Sequence, residues 1–248
     1  METIDINCDM GEGVGNEALL MPYISSANIA CGYHAGDEAT MKRVIELCLQ
    51  YNVAIGAHPS FPDKENFGRT EMDLPPEQIH DFIIQQLEVL NKAAATYGTR
   101  LHHVKPHGAL YNMAAKDISI AHTVATAVKA FDASLIYYGL SGSPMITTAE
   151  QQGLKTANEV FADRTYQPGG LLTPRKQANA LIEDDITAVL QVMQMIKNKT
   201  VTAVNGNRIS IKADTICLHG DGNHAVSFAK SLYNSLQQEN IHIQRINS

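Results

Sequence analysis

His103-Val-Lys-Pro-His-Gly-Ala-Leu-Tyr111, HVKPHGALY, alternates polar and apolar residues and then breaks the pattern with Pro106 and Gly108. In an extended chain successive side chains point to opposite faces, so His103 and Lys105 share one face and Val104 takes the other. A buried lysine and imidazole are costly unless polar groups meet them. The stretch therefore reads as a strand with a wet or functional face, ended by a turn that presents His107.

Neighbouring stretches repeat the arrangement. Ile4, Ile6 and Cys8 oppose Asp5, Asn7 and Asp9, and Ala27, Ile29 and Cys31 oppose Ser26, Asn28 and Ala30. Val53, Ile55 and Ala57 oppose Ala54, Gly56 and His58, while Ile216 and Leu218 oppose Thr215, Cys217 and His219. Helical patterns separate these strands. Asp37 precedes one with Met41, Val44, Ile45 and Cys48 on a single face. Pro75-Pro76 open another, with Ile79, Phe82, Ile83, Leu87 and Leu90 on its stripe. Further strands are expected over 101–105, 134–138 and 156–161, and a hairpin around Asn205-Gly206-Asn207.

Strand–helix alternation predicts a parallel sheet, and about seven such units favour a closed TIM-like (β/α) barrel over an open doubly wound sheet. The 248 residues suit one barrel domain spanning the whole chain. Ordinary barrels fill their interior with branched aliphatics. Here Asp5, Asn7, Asp9, Asn28, Lys105 and His219 would line a polar lumen, either as a satisfied buried network or as a site. Barrel sites form at the C-terminal ends of the strands. Those ends read NCDMGEG (7–13), NIACGYHAGD (28–37), GAHPSFPD (56–63), VKPHGALY (104–111), EVFADR (159–164) and LHGDG (218–222). They carry His34, His58, His107 and His219.

The net charge of −7 and the absence of a Lys/Arg cluster speak against a nucleic-acid partner. The four cysteines form no C-x-x-C pair. No segment approaches the ~20 apolar residues of a membrane helix. A soluble protein in the reducing cytoplasm is expected, with no membrane partner.

Taken together, DINCDMGEG, SANIACGYHAGD, GAHPSFPD, Phe67-Gly68-Arg69, HVKPHGALY, EVFADR and CLHGDG resemble the LamB/YcsF family in order and spacing over nearly the whole chain. Each motif is weak alone; the series is specific. The resemblance implies a seven-stranded barrel of the glycoside hydrolase/deacetylase type. It implies ATP-dependent opening of the 5-oxo-L-proline (pyroglutamate) lactam to L-glutamate, with this chain as the A subunit of a 5-oxoprolinase working alongside subunits B and C.

Opening a lactam through phosphorylation of its oxygen requires a base, an acid, and cations for the phosphoryl group. The rim offers Asp9, Glu12, His34, Asp37, His58, Lys105 and His107 as catalytic candidates. Asp9 or a neighbouring histidine would activate water, His107 would protonate the leaving nitrogen, and Lys105 would hold a carboxylate or phosphoryl group. Asn7, Arg69, Tyr111, Arg164, His219 and Asp221 are candidates for substrate or phosphate binding. No G-x-x-x-x-G-K-[ST] loop is present to hold ATP or its magnesium complex. The Gly220–Asn223 turn could cradle phosphate or simply cap a helix, and phosphorylation is expected on another polypeptide of the complex. The alternative is a divalent metal on Asp9 with two of His34, His58 and His107, which suits a stand-alone metal-dependent deacetylase or amidohydrolase. A non-catalytic scaffold is the third reading. The loop 60–75 reads as a lid or a partner surface.

Overall fold

The computed structural model describes residues 2–220 and 224–247. The chain runs β1 (Glu2–Met10), α1 (Glu17–Leu20), β2 (Ser26–Ala30), α2 (Glu38–Tyr51), β3 (Ala54–His58), α3 (Pro76–Ala95), β4 (His103–Val104), α4 (Gly108–Ala114) and α5 (Ile118–Phe131). It continues through β5 (Ile136–Leu140), α6 (Pro144–Gln151), β6 (Lys155–Phe161), α7 (Asp185–Met193), β7 (Thr200–Thr202), β8 (Arg208–Ser210), β9 (Thr215–Leu218), α8 (Ala225–Gln238) and β10 (Ile241–Ile243).

Seven strands, β1-β2-β3-β4-β5-β6-β9, form a parallel sheet that closes because β1 also pairs with β9. Closure places Asn7 between Ser26 on one side and Cys217 on the other. β10 adds to the start of β1, with Glu2 opposite Ile241. β7 and β8 form the separate antiparallel hairpin that Asn205-Gly206-Asn207 predicts.

Local chemistry starts and stops the helices. Asp37 caps α2 by accepting from the Thr40 N–H at 2.8 Å, and left-handed Asn52 (φ 56°) ends it. Asp117 caps α5 and Ser143 caps α6 in the same way. The buried stripes of α2 (Met41, Val44, Ile45, Cys48) and α3 (Ile79, Ile83, Leu87, Leu90) pack on the apolar outer faces of the strands. Each fully buried aliphatic side chain contributes roughly 1.5–3 kcal/mol.

The lumen has its own composition. A small apolar plug of Ile136, Tyr138, Ala157 and Ile246 sits apart from the main core. His102 Nε2 donates to the Ile246 carbonyl at 2.8 Å, tying the C-terminal tail beneath the barrel. Above the plug, Asp5 accepts from Ser25 (2.6 Å), Ser26 (2.7 Å), Thr215 (2.5 Å) and Tyr138 (3.0 Å). Four donors satisfy this carboxyl, although burial still raises its pKa. The His103 ring stacks on Tyr138 at 4.2 Å and lies opposite Gly56 in the register. A Cβ on Gly56 would lie 2.0 Å from His103 Nε2, so only glycine admits the ring.

Two expectations change in extent. The fourth strand spans only His103–Val104 rather than 101–105, and the fifth is Ile136–Leu140 rather than 134–138. Pro106 and Gly108 end β4, and Gly108 opens the short helix α4, which the sequence pattern did not reveal.

Candidate active site

A cavity of about 770 Å³ opens at the C-terminal ends of the strands. Asp9, Glu12, His58, Lys105 and His107 line it together with Tyr111, Phe161, Arg164 and His219. Arg69, Lys116, Arg175 and Lys176 add to its walls.

At its base the Lys105 ammonium lies 2.9 Å from Asp9 Oδ1, 2.9 Å from Glu159 Oε1, 3.2 Å from Asn7 Oδ1 and 3.0 Å from Cys217 Sγ. Lys105 is 2% exposed. Burial disfavours its charge, but Asp9 and Glu159 hold its pKa well above the ordinary value. Asp9 answers in kind: burial opposes its charge, yet His58 and Lys105 hold it well below the usual carboxylate range. His103 Nε2 donates to Asn28 Oδ1 at 2.8 Å, and Asn28 Nδ2 donates to Asn7 Oδ1 (2.7 Å) and Asp9 Oδ1 (2.8 Å). Lumenal amides thus orient Asp9 from below. Burial pushes the Cys217 thiol well up, so it is the neutral form.

A second cluster stands beside Asp9. Glu12 Oε1 lies 3.1 Å from His34 Nε2, 3.4 Å from His107 Nδ1 and 3.8 Å from His58 Nε2. His58 Nε2 is 2.9 Å from His107 Nδ1 and 3.3 Å from Asp9 Oδ2. The outer nitrogens are anchored: His58 Nδ1 on the Lys105 carbonyl (2.7 Å), His107 Nε2 on the Phe67 carbonyl (2.9 Å), and His34 Nδ1 on Ser60 Oγ (2.9 Å). Burial, then His58 and His34, lower His107 well below the ordinary imidazole value. Burial lowers His34 too. Burial also opposes charge on His58, but Asp9 outweighs it and lifts that imidazole.

On the opposite wall His219 Nδ1 donates to Asp163 at 2.8 Å, and Arg175 Nη2 donates to His219 Nε2 at 3.0 Å. Burial opposes charge on Asp163, but His219 holds its pKa below the ordinary value. Arg164 donates to the carbonyls of Ala180 (3.2 Å) and Thr173 (2.6 Å). Burial and then Arg175 bring Arg164 down to about 10, which leaves it charged at neutral pH.

Most residues expected from the sequence are brought together here: Asn7, Asp9, Glu12, His34, His58, Arg69, Lys105, His107, Tyr111, Arg164 and His219. Asp37 is not; it is an exposed cap of α2. Asp221 lies outside the described residues. Tyr33 packs edge-on against Phe82 and donates to Gln85, away from the cavity. The loop 60–75 is tied down through Asp63, which accepts from the Asn66 and Thr70 backbone, and its Phe67 carbonyl anchors His107. Sequence reading missed Glu159 and Asp163 as site residues, although both lie in the quoted EVFADR rim segment.

Of the expected metal set, His58 Nε2 stands 3.3 Å from Asp9 Oδ2 and 2.9 Å from His107 Nδ1. Asp9 Oδ1 is engaged by Lys105 and Asn28, whereas Glu12 offers the oxygen that all three histidines face.

The family model described as the LamB/YcsF family matches residues 4–248. The chain belongs to the LamB/YcsF family. A protein of Geobacillus kaustophilus (strain HTA426) described as the A subunit of 5-oxoprolinase is 50% identical over 248 residues, covering 98% of this chain and 97% of that one. The crystal structure of the lactam utilization protein from Thermus thermophilus superposes with a TM-score of 0.92 at 35% identity, covering 98% and 100% of the two chains. A family 4 carbohydrate esterase from Streptomyces lividans shares the fold alone, with a TM-score of 0.54 at 10% identity over 99% of this chain and 93% of that one. The LamB/YcsF barrel is thus the closed seven-stranded kind that esterase also adopts. Among the described residues, no helix of this LamB/YcsF member is long and apolar enough to cross a membrane.

Proposed function

We infer that this chain is the A subunit of an ATP-dependent 5-oxoprolinase and that its polar cavity is where the lactam of 5-oxo-L-proline is opened. One observation carries the reading. A floor of carboxylates and imidazoles (Asp9, Glu12, His58, His107) faces a mouth carrying Arg69, Lys116, Arg164, Arg175 and Lys176, in a chain whose net charge is −7. Cations gathered this way on an acidic protein suit an anionic substrate. The relatives described as 5-oxoprolinase A subunits support the same substrate class.

The chemistry follows from the substrate. Phosphorylation of the lactam oxygen by ATP turns an unreactive amide into an activated imidate. Water then adds to the ring carbon, and the C–N bond breaks as nitrogen gains a proton. The product is an open-chain acyl phosphate, which a second water hydrolyses to glutamate and phosphate. Asp9, charged and oriented by Asn28 and Lys105, positions the attacking water and takes its proton. His219, held by Asp163 at Nδ1, delivers the proton to nitrogen from Nε2 once Arg175, which donates to that nitrogen, turns to the substrate's anionic group. It suits this role better than His107, whose Nε2 is fixed by a backbone carbonyl, that of Phe67, whereas the partner at His219 Nε2 is a movable arginine side chain. Lys105 acts from beneath, holding Asp9, rather than on the substrate's carboxylate or phosphoryl group. Arg164, Arg175 and Arg69 take those anions.

ATP is the cosubstrate of the assembled enzyme, and subunits B and C complete it; one of them carries out the phosphorylation. The four cysteines are free and buried, which accords with a cytoplasmic setting. The test is glutamate release from 5-oxo-L-proline and ATP by this chain alone, by B and C alone, and by all three. Release is expected only from the full mixture. Equal release from B and C alone would make this chain an accessory scaffold. No release from any mixture would overturn the reading in favour of a metal-dependent deacetylase, the second reading that the histidine cluster supports.

A further inference from the structure

Three histidines meet at Glu12, and their hydrogen bonds decide which nitrogens carry protons. A carbonyl only accepts, so His58 Nδ1 and His107 Nε2 must each carry hydrogen toward Lys105 O and Phe67 O. Ser60 Oγ gives its own proton to the Phe61 carbonyl at 2.9 Å, so it accepts from His34 Nδ1. In the neutral rings, the nitrogens left facing inward are His34 Nε2, His58 Nε2 and His107 Nδ1. All three are lone pairs, and they surround the carboxylate oxygen Glu12 Oε1. His58 Nε2 and His107 Nδ1 are only 2.9 Å apart, and three lone pairs with an anion at such distances repel unless something positive sits among them.

We propose that Glu12, His34, His58 and His107 form a binding site for a divalent transition-metal ion, with zinc the best-matched probe. The spacing fits. Ligands about 2.0–2.1 Å from a tetrahedral ion stand about 3.3–3.4 Å from one another. Glu12 Oε1 stands 3.1, 3.4 and 3.8 Å from the three inward nitrogens. All four donors lie within 4.8 Å of one another. Three imidazoles and one carboxylate are a donor set for zinc or a similar ion rather than for magnesium or calcium. Outer nitrogens held by two carbonyls and a serine are the arrangement that aims histidines at a metal. The other clustered group, Asp9, Cys217 and His219, differs in kind. There the Lys105 ammonium already lies 2.9 Å from Asp9 and 3.0 Å from Cys217, so a positive charge is in place.

The site stands beside the proposed lactam cavity, but its occupancy is read without substrate. The full-length chain, stripped with chelator, is titrated with zinc against a chromophoric competitor, and with cobalt followed by its visible absorption. One zinc per chain is expected, with cobalt bands of tetrahedral intensity. His34→Ala and His107→Ala are expected to weaken zinc binding at least tenfold while circular dichroism stays unchanged. Ser60→Ala, which frees His34 Nδ1 without removing a donor atom, is expected to weaken it roughly 10–100-fold. His122→Ala, on exposed α5 surface, leaves it unaltered. Substoichiometric zinc on the wild-type chain would overturn the proposal and leave a proton shared among the rings. Equal affinity in the wild type and His34→Ala would overturn it too. Neither result bears on glutamate release by the three-part mixture, so the two readings fail separately.

Discussion

Lys105 Nζ lies 2.9 Å from Glu159 Oε1, reaching across the lumen from the end of β4 to β6. The two side chains are 3% and 0% exposed. A buried pair of this kind is far more costly to break than to have formed. Lys105→Met leaves Asp9 and Glu159 as two buried carboxylates without their cation and is expected to destabilise the fold by about 3–5 kcal/mol. Glu159→Gln keeps the Lys105–Asp9 pair and is expected to lose less, about 1–3 kcal/mol. Urea unfolding of the two variants beside wild type checks the order; equal losses would show that Glu159 and Asp9 do not share the lysine.

Asp9 and His58 set a pH dependence. The folded pKa of Asp9 is depressed, so its stabilisation is present above the unfolded value of about 3.9 and is lost as pH falls through the folded one. The folded pKa of His58 is raised, so its stabilisation is present below about 6.5 and is lost as pH rises through the folded value. Both are present between about pH 4 and 6.5. In chelator-treated protein the stability deficit of Asp9→Asn is expected to be largest in that window and to narrow above neutrality. Asp5 and His103 titrate in both proteins and cancel in the difference, whereas Asp9 also favours charge on His34 and His107, which adds to the difference in the same direction. A deficit that does not change from about pH 5 to pH 9 would show that His58 carries no charge beside Asp9.

Gly56 admits His103, and the expected outcome of Gly56→Ala follows from one distance. The new Cβ would lie 2.0 Å from His103 Nε2, and the ring is held by Tyr138 on one side and Asn28 at its nitrogen. Overpacking of this kind costs about 1–3 kcal/mol, and here it also pushes on the amide that orients Asp9. Thermal unfolding and activity should fall together. Full activity at reduced stability would separate His103 from the site.

Asp163 aligns His219 through a 2.8 Å hydrogen bond. If His219 delivers the proton to the leaving nitrogen, Asp163→Asn should lower kcat by roughly 10²–10⁴-fold with little change in KM, and should move the pH profile. A rise in KM alone would instead make the pair part of the anion-binding wall.

The strand faces explain what could be read beforehand. Alternation in β1, β2 and β9 separates Asp5, Asn7, Asp9, Asn28, Thr215 and Cys217 from their apolar neighbours, because period two needs no knowledge of the partner strand. Curvature of the sheet into a barrel brings Glu159 to Lys105 across the lumen, and the pairing of β6 with β9 brings Asp163 beside His219. Those pairs are 54 and 56 residues apart, and no local pattern announces them. Asp37 shows the reverse difficulty. An aspartate before an amphipathic helix reads equally well as a cap or as a site carboxylate, and only its exposed place on α2 decides. α4 stayed hidden because seven residues behind Pro106 are too few to show helical periodicity. That Glu12 Oε1 reaches all three histidines, while Asp9 Oδ2 reaches His58, depends on how the Gly11 and Gly13 turn folds back, with φ of 76° and 87°.

We place lactam opening in this lumen. The most direct test is glutamate release by subunits B and C combined with the wild-type chain or with its Asp9→Asn variant, with assembly checked by size-exclusion chromatography. The variant is expected to assemble normally and to lose at least roughly 10²-fold in kcat, as removal of a general base does. Assembly with an undiminished rate would contradict the account and place the chemistry on B or C.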